Sequence, residues 1–191
     1  MTMTTDHTSA TNERLFPPPA RVSLTPANAA LGLLDGAWWP HSRDLTRELP
    51  ALTEALDRLW GRITRVTVNP HLWPVIPRKV SVGGHVVKVG WFIAEQDPHK
   101  LLLICEDVGR RDLLVVPPQT GVTAAARLMS AAADPHNTLT ATGLMAQEAA
   151  RNAAEIDRTL EEEWESEGGL LATSPELPGT PTGFPRQAVG V

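Results

Sequence analysis

Ten consecutive residues hold the densest collection of chemistry-bearing side chains in this chain: Asp35-Gly36-Ala37-Trp38-Trp39-Pro40-His41-Ser42-Arg43-Asp44. Aromatic residues make up only 5% of the sequence, and two adjacent indoles cannot both be left in water cheaply. On one reading the segment is a binding surface. Trp38 and Trp39 then give flat apolar contact area, and Asp35, Arg43 and Asp44 give polar contacts. On another it serves a small hydrolase or lyase, with Asp35 or Asp44 as general acid/base and Arg111 holding an anion in its planar fork. On a third it is structural: one indole plugs the core, Asp35 caps the turn at Gly36, and Arg43 or Asp44 joins an ordinary ion pair. Neighbouring side chains of an extended segment face opposite ways. One tryptophan is therefore expected inside, the other partly exposed beside Arg43 or Asp44.

A second cluster, Arg110-Arg111-Asp112, opens an apolar run. One arginine can pair with Asp112 or with a carboxylate of the tryptophan segment, leaving the other for an anion. The six histidines (His7, His41, His71, His85, His99, His136) show no HxH or HxxxH spacing, and Cys105 has no second cysteine, so no metal site is expected. GxSxG, GxGxxG and phosphate-cradling glycine loops are missing too, so no cofactor is expected. These absences favour a non-catalytic binding or regulatory module, with a protein or a small ligand as partner. The acidic run Glu161-Glu162-Glu163-Trp164-Glu165-Ser166-Glu167 reads as a helix end that frays unless something basic meets it.

The tryptophan segment, with Arg21-Val22-Ser23-Leu24, Leu49-Pro50-Ala51-Leu52 and Arg111-Asp112-Leu113-Leu114-Val115-Val116-Pro117-Pro118, resembles a family of small bacterial proteins known only as a domain of unknown function, common in high-GC Gram-positive bacteria. The resemblance spans about Arg21 to Met145 and implies a shared fold without an activity. That family often carries Arg at the position of His41, which argues against His41 as an obligatory base.

Several elements must position these residues. Arg21–Leu24 reads as a short strand stopped by Pro26. Asn28 to Leu34 is small and apolar, a helical turn or irregular packing. Ser42 is a plausible N-cap for a helix whose Leu45, Leu49, Leu52, Leu56 and Leu59 share one face, expected to bury Leu52, Leu56 and Leu59 against a sheet. Pro50 predicts a kink or break, with the main helix running from about Pro50 to Trp60 and Gly61 ending it. Arg62–Val68, Lys79–Val82, His85–Phe92, Lys100–Cys105 and Arg111–Val116 read as strands; Gly83-Gly84 closes one hairpin and Asp107 to Gly109 another. Helices over about Val122–Ala133 and Thr140–Glu167 follow, separated by a turn at Asp134–Asn137. The expected fold is α+β, a single domain with a mainly antiparallel twisted sheet of about six short strands, one early helix and two C-terminal helices.

Residues 1–19 are rich in Thr, Ser and Asn and end in three prolines, and residues 168–191 repeat Pro, Gly and Thr. Both are expected as disordered tails around a globular domain at 20–167. The chain has 17 basic and 22 acidic residues, a net charge of -5. That balance argues against nucleic acid as a partner, which would need Arg62, Arg65, Arg78 and Lys79 on one face. The apolar runs are too short to span a membrane and no secretory leader is visible. With its lone cysteine, the chain is expected in the cytoplasm.

Overall fold

The computed structural model describes residues 18–29, 32–92 and 97–168, with side chains as far as 164. Both expected tails lie outside this span except for residues 18, 19 and 168. Contacts divide the chain into Met1–Ala150 and Arg151–Val191, and each unit is described by itself.

Seven strands form one sheet: β1 (Arg21–Leu24), β2 (Gly36–Trp39), β3 (Ile63–Val68), β4 (Lys79–Val82), β5 (His85–Trp91), β6 (Lys100–Cys105) and β7 (Gly109–Val115), in the order β1-β2-β7-β6-β3-β5-β4. The helices are α1 (Leu45–Trp60), α2 (Val122–Ala132) and α3 (Ala141–Gly168). The fold is α+β with three helices, but the sheet is mixed, because β2 pairs with β7 and β3 with β5 in parallel. The unexpected seventh strand is the tryptophan segment itself. Gly36-Ala37-Trp38-Trp39 has no polar residue and so shows no alternation, and β2 acquires its strand character from neighbours on both sides. Gly36 makes the close approach to β1 possible: at φ 143°, a Cβ there would collide with the Ser23 carbonyl oxygen.

Alternation along the strands gives two apolar layers. On one face Trp38, Val66, Leu101, Leu103 and Leu113 pack with the leucines of α1. On the other, Ala37, Leu114 and Val116 meet Ala125 and Leu128 of α2 and Leu144 of α3. β2 is therefore covered on both faces, its Trp38 side chain in one layer and Trp39 against the other.

α1 is continuous from Leu45 through Pro50 to Trp60, so the expected break does not occur. Pro50 lacks the N–H that would bond the Thr46 carbonyl, and Thr46 is exposed, leaving that carbonyl to water. Asp44, not Ser42, is the N-cap: its Oδ1 accepts from the Thr46 amide at 3.0 Å. Ser42 instead donates to buried Glu48 at 2.7 Å. Leu52 and Leu56 are buried as expected, but Leu59 is 62% exposed, because the last turn of α1 borders a surface pocket.

Candidate functional site

β2 is held from its two sides by arginines on its neighbouring strands. On the β1 side, Arg21 stands in register with Trp39. Its guanidinium lies 3.5 Å from the Trp39 ring centroid, Nε donates to the Trp39 carbonyl at 2.9 Å, and Nη2 donates to the Pro40 carbonyl at 2.6 Å. Burial lowers the Arg21 pKa from its usual value, with Glu48 opposing it. Below this clamp the chain turns through His41 and Ser42, where Glu48 accepts from the His41 amide at 3.0 Å and from the Ser42 hydroxyl.

On the β7 side, Arg111 Nη1 donates to Asp35 Oδ1 at 2.9 Å, and the Asp112 amide donates to Asp35 Oδ2 at 2.7 Å. The Asp35 backbone continues the lock, its N–H donating to the Asp112 carbonyl at 2.8 Å and its carbonyl accepting from Thr25 at 3.0 Å. Arg110 turns away and makes two hydrogen bonds to the Asp112 carboxylate, which Lys100 also reaches at 3.0 Å. Burial raises the pKa of this carboxyl, but the bonds from Arg110 and Lys100 outweigh it and hold it below its usual range. Both arginines of the Arg110-Arg111 pair are thus ion-paired.

Beside the Asp35–Arg111 pair lies a pocket of about 310 Å³, with Trp60 and Leu59 from the end of α1, Leu24 at the end of β1, Thr25 after it, and Val108 before β7 among its walls. The Arg111 guanidinium sits 5.8 Å from the Trp60 ring centroid. Two polar atoms of the lining residues, Thr25 Oγ1 and Arg111 Nε, are buried with no hydrogen-bond partner among the described residues. Each such atom costs on the order of 1–3 kcal/mol of unrecovered desolvation. Both Asp35 carboxylate oxygens accept hydrogen bonds. Its visible task is to aim Arg111.

The six expected site residues therefore separate. Asp35 and Arg111 meet at the pocket. Trp38 is fully buried and stacked on Trp73 at 5.5 Å, so it offers no surface. Trp39 is half-buried under Arg21. Arg43 and Asp44 are exposed past the far end of β2, with Asp44 occupied in capping α1; its hydrogen bond from Thr46 lowers its pKa. Trp60 and Thr25 were not visible as site residues. Trp60 reads as a helix terminus, and only the tertiary fold brings Thr25 to β7.

The family profile of a domain of unknown function, DUF5994, matches residues 21–132. The chain belongs to that family. The matched span includes β1 through α2, and with them Thr25, Asp35, Trp60 and Arg111. No curated protein and no solved structure matches the chain. Among the described residues no cluster of His, Cys, Asp or Glu fits a metal ion, and no helix is long and apolar enough to cross a membrane. Cys105 is buried, and desolvation pushes its thiol up to about 11, with Arg111 opposing.

Proposed function

We propose that this DUF5994 member is a non-catalytic binding module of the cytoplasm whose ligand is a small molecule held in the Asp35–Arg111–Trp60 pocket. The observation that supports this reading is the Arg111 guanidinium, 5.8 Å from the Trp60 ring centroid, in the lining of a pocket with otherwise mainly apolar walls. A ligand with an acceptor oxygen would bond the solvent-facing part of the Arg111 guanidinium, and its apolar body would cover the Trp60 indole and exposed Leu59. The volume suits a compact ligand of one ring. Asp35 already neutralises Arg111, so the acceptor can be a neutral carbonyl as well as a carboxylate.

The experiment is ligand-observed NMR with a probe set of benzoate, benzamide and benzylamine against the full chain. Benzoate or benzamide should show saturation transfer that Arg111→Met abolishes and Trp60→Leu reduces, while benzylamine shows none. Equal binding of all three probes, or binding indifferent to both substitutions, would sink the proposal.

A further inference from the structure

The sheet face that carries α2 is covered only in part. α2 packs on β1, β2 and β7, but on the β3, β5 and β4 side of the same face Arg65, Lys79, Ser81, Val86 and Lys88 are exposed, while Thr67 of β3 is buried. One register row crosses four strands there: Ile104 of β6, Arg65 of β3, Lys88 of β5 and Lys79 of β4. Arg65, Lys88 and Lys79 are exposed, and none forms an ion pair among the described residues. β3, β4 and β5 contain no acidic residue, so nothing on those strands neutralises the row. Val86 and Phe92 flank it, 50% and 58% exposed. With strands about 4.8 Å apart, the row is roughly 15 Å wide, room for one helix about 10 Å across.

α3 carries an exposed apolar stripe. Along α3, Ile156, Leu160 and Trp164 recur at four-residue spacing on one face, and they are 59%, 57% and 81% exposed. The flanking side chains include the acidic Asp157, Glu161 and Glu163, and Glu162 adds charge to the same turn. Two such helices pairing with each other would set like charges together. A basic platform with apolar neighbours is the complementary surface, and the Arg65–Lys88–Lys79 row has both properties.

We propose that the acidic end of α3 from one copy docks on the Arg65–Lys88–Lys79 face of a second copy. In a two-fold pair the docking is reciprocal, so each copy contributes one helix and one face and both apolar surfaces are covered. The charge match makes the association sensitive to salt.

The test is sedimentation velocity on the full chain at 50 and 500 mM NaCl, with two variants. One, Arg65→Glu/Lys79→Glu/Lys88→Glu, is acidic on both surfaces; the other, Glu161→Lys/Glu162→Lys/Glu163→Lys, is basic on both. Every substituted side chain is exposed, and circular dichroism checks that each variant folds. The wild-type chain should be dimeric at low salt and shift toward monomer at high salt. Each variant should be monomeric alone, and an equimolar mixture should restore the dimer, because each helix then meets a face of opposite charge. A wild-type monomer at low salt overturns the proposal, as does dimerisation that persists in either variant alone. So does a mixture that stays monomeric, or capture of oligouridylate by the basic face of a chain that remains monomeric. Pocket binding at Arg111 is read out separately, so the two readings fail independently.

Discussion

Arg21 and Arg111 grip the same four-residue strand from opposite sides, and Arg111 borders a pocket. Arg21 gives its Nε and Nη2 hydrogen bonds to backbone carbonyls and covers the Trp39 ring with its planar face. It is a closed clamp. Arg111 is held by a carboxylate instead, keeps Nε without a partner, and stands over a void walled by Trp60 and Leu24. The comparison shows that an arginine beside an aromatic residue does not by itself mark a site. What separates the two is whether the local backbone satisfies the guanidinium.

The largest expected effect tests the strand that both arginines hold. Trp38→Ala empties a fully buried site beside Trp73 and should cost on the order of 3–5 kcal/mol in urea unfolding. Trp39→Ala loses a half-buried ring and its cation–π contact, and should cost about 1–2 kcal/mol. Equal costs would mean that the two indoles share one role, against the division of β2 between two layers.

The second effect contrasts the arginines directly. Arg21→Met strips two part-buried carbonyls of their donors and should destabilise the chain by roughly 1–3 kcal/mol. Arg111→Met leaves Asp35 its bond from the Asp112 amide and also removes the unpartnered Nε, so about 1 kcal/mol is expected from a partly exposed pair. Thermal melts of the two variants, followed by the benzoate titration, give a crossed result if the comparison holds. Arg21→Met should lose more stability and keep binding; Arg111→Met should keep more stability and lose binding. The reverse pattern would exchange their roles.

Much of this arrangement was legible in the residues. Alternation in Lys79–Val82 and Lys100–Cys105 marked strands, and the leucine spacing of α1 marked a buried face. The possibility that an arginine of the Arg110–Arg111 pair reaches a carboxylate near the tryptophans was also readable. Parallel pairing was not, since β2 and β7 are separated by most of the fold and no local pattern encodes such a partner. Pro50 misled because its cost depends on whether the orphaned carbonyl can reach water, a tertiary property. Leu59 shares the periodicity of Leu52 and Leu56, yet it stands at the pocket. Periodicity states which residues share a face, not where the sheet beneath that face ends.

The smallest effect separates the two sides of β2 by pH. Arg21 bonds to backbone carbonyls, which do not titrate, whereas β7 carries the Asp112 carboxylate, held by Arg110 and Lys100. Hydrogen bonds from those two side chains, working against burial, depress the Asp112 pKa in the folded chain. The unfolded chain therefore binds a proton first as pH falls. The stabilisation from Asp112 is fully present above the unfolded value of about 3.9 and disappears as pH falls through the lower folded value. Asp112→Asn should then be less stable than wild type at pH 7 by up to about 1 kcal/mol. The two urea midpoints should converge below pH ~3.9 as the native carboxyl takes up its proton. In an Arg21→Met background the same convergence should appear unchanged, because that clamp lies on the other side of β2. A gap between wild type and Asp112→Asn that stays constant down to pH 2 would show that the Asp112 carboxylate stabilises the chain without help from its charge.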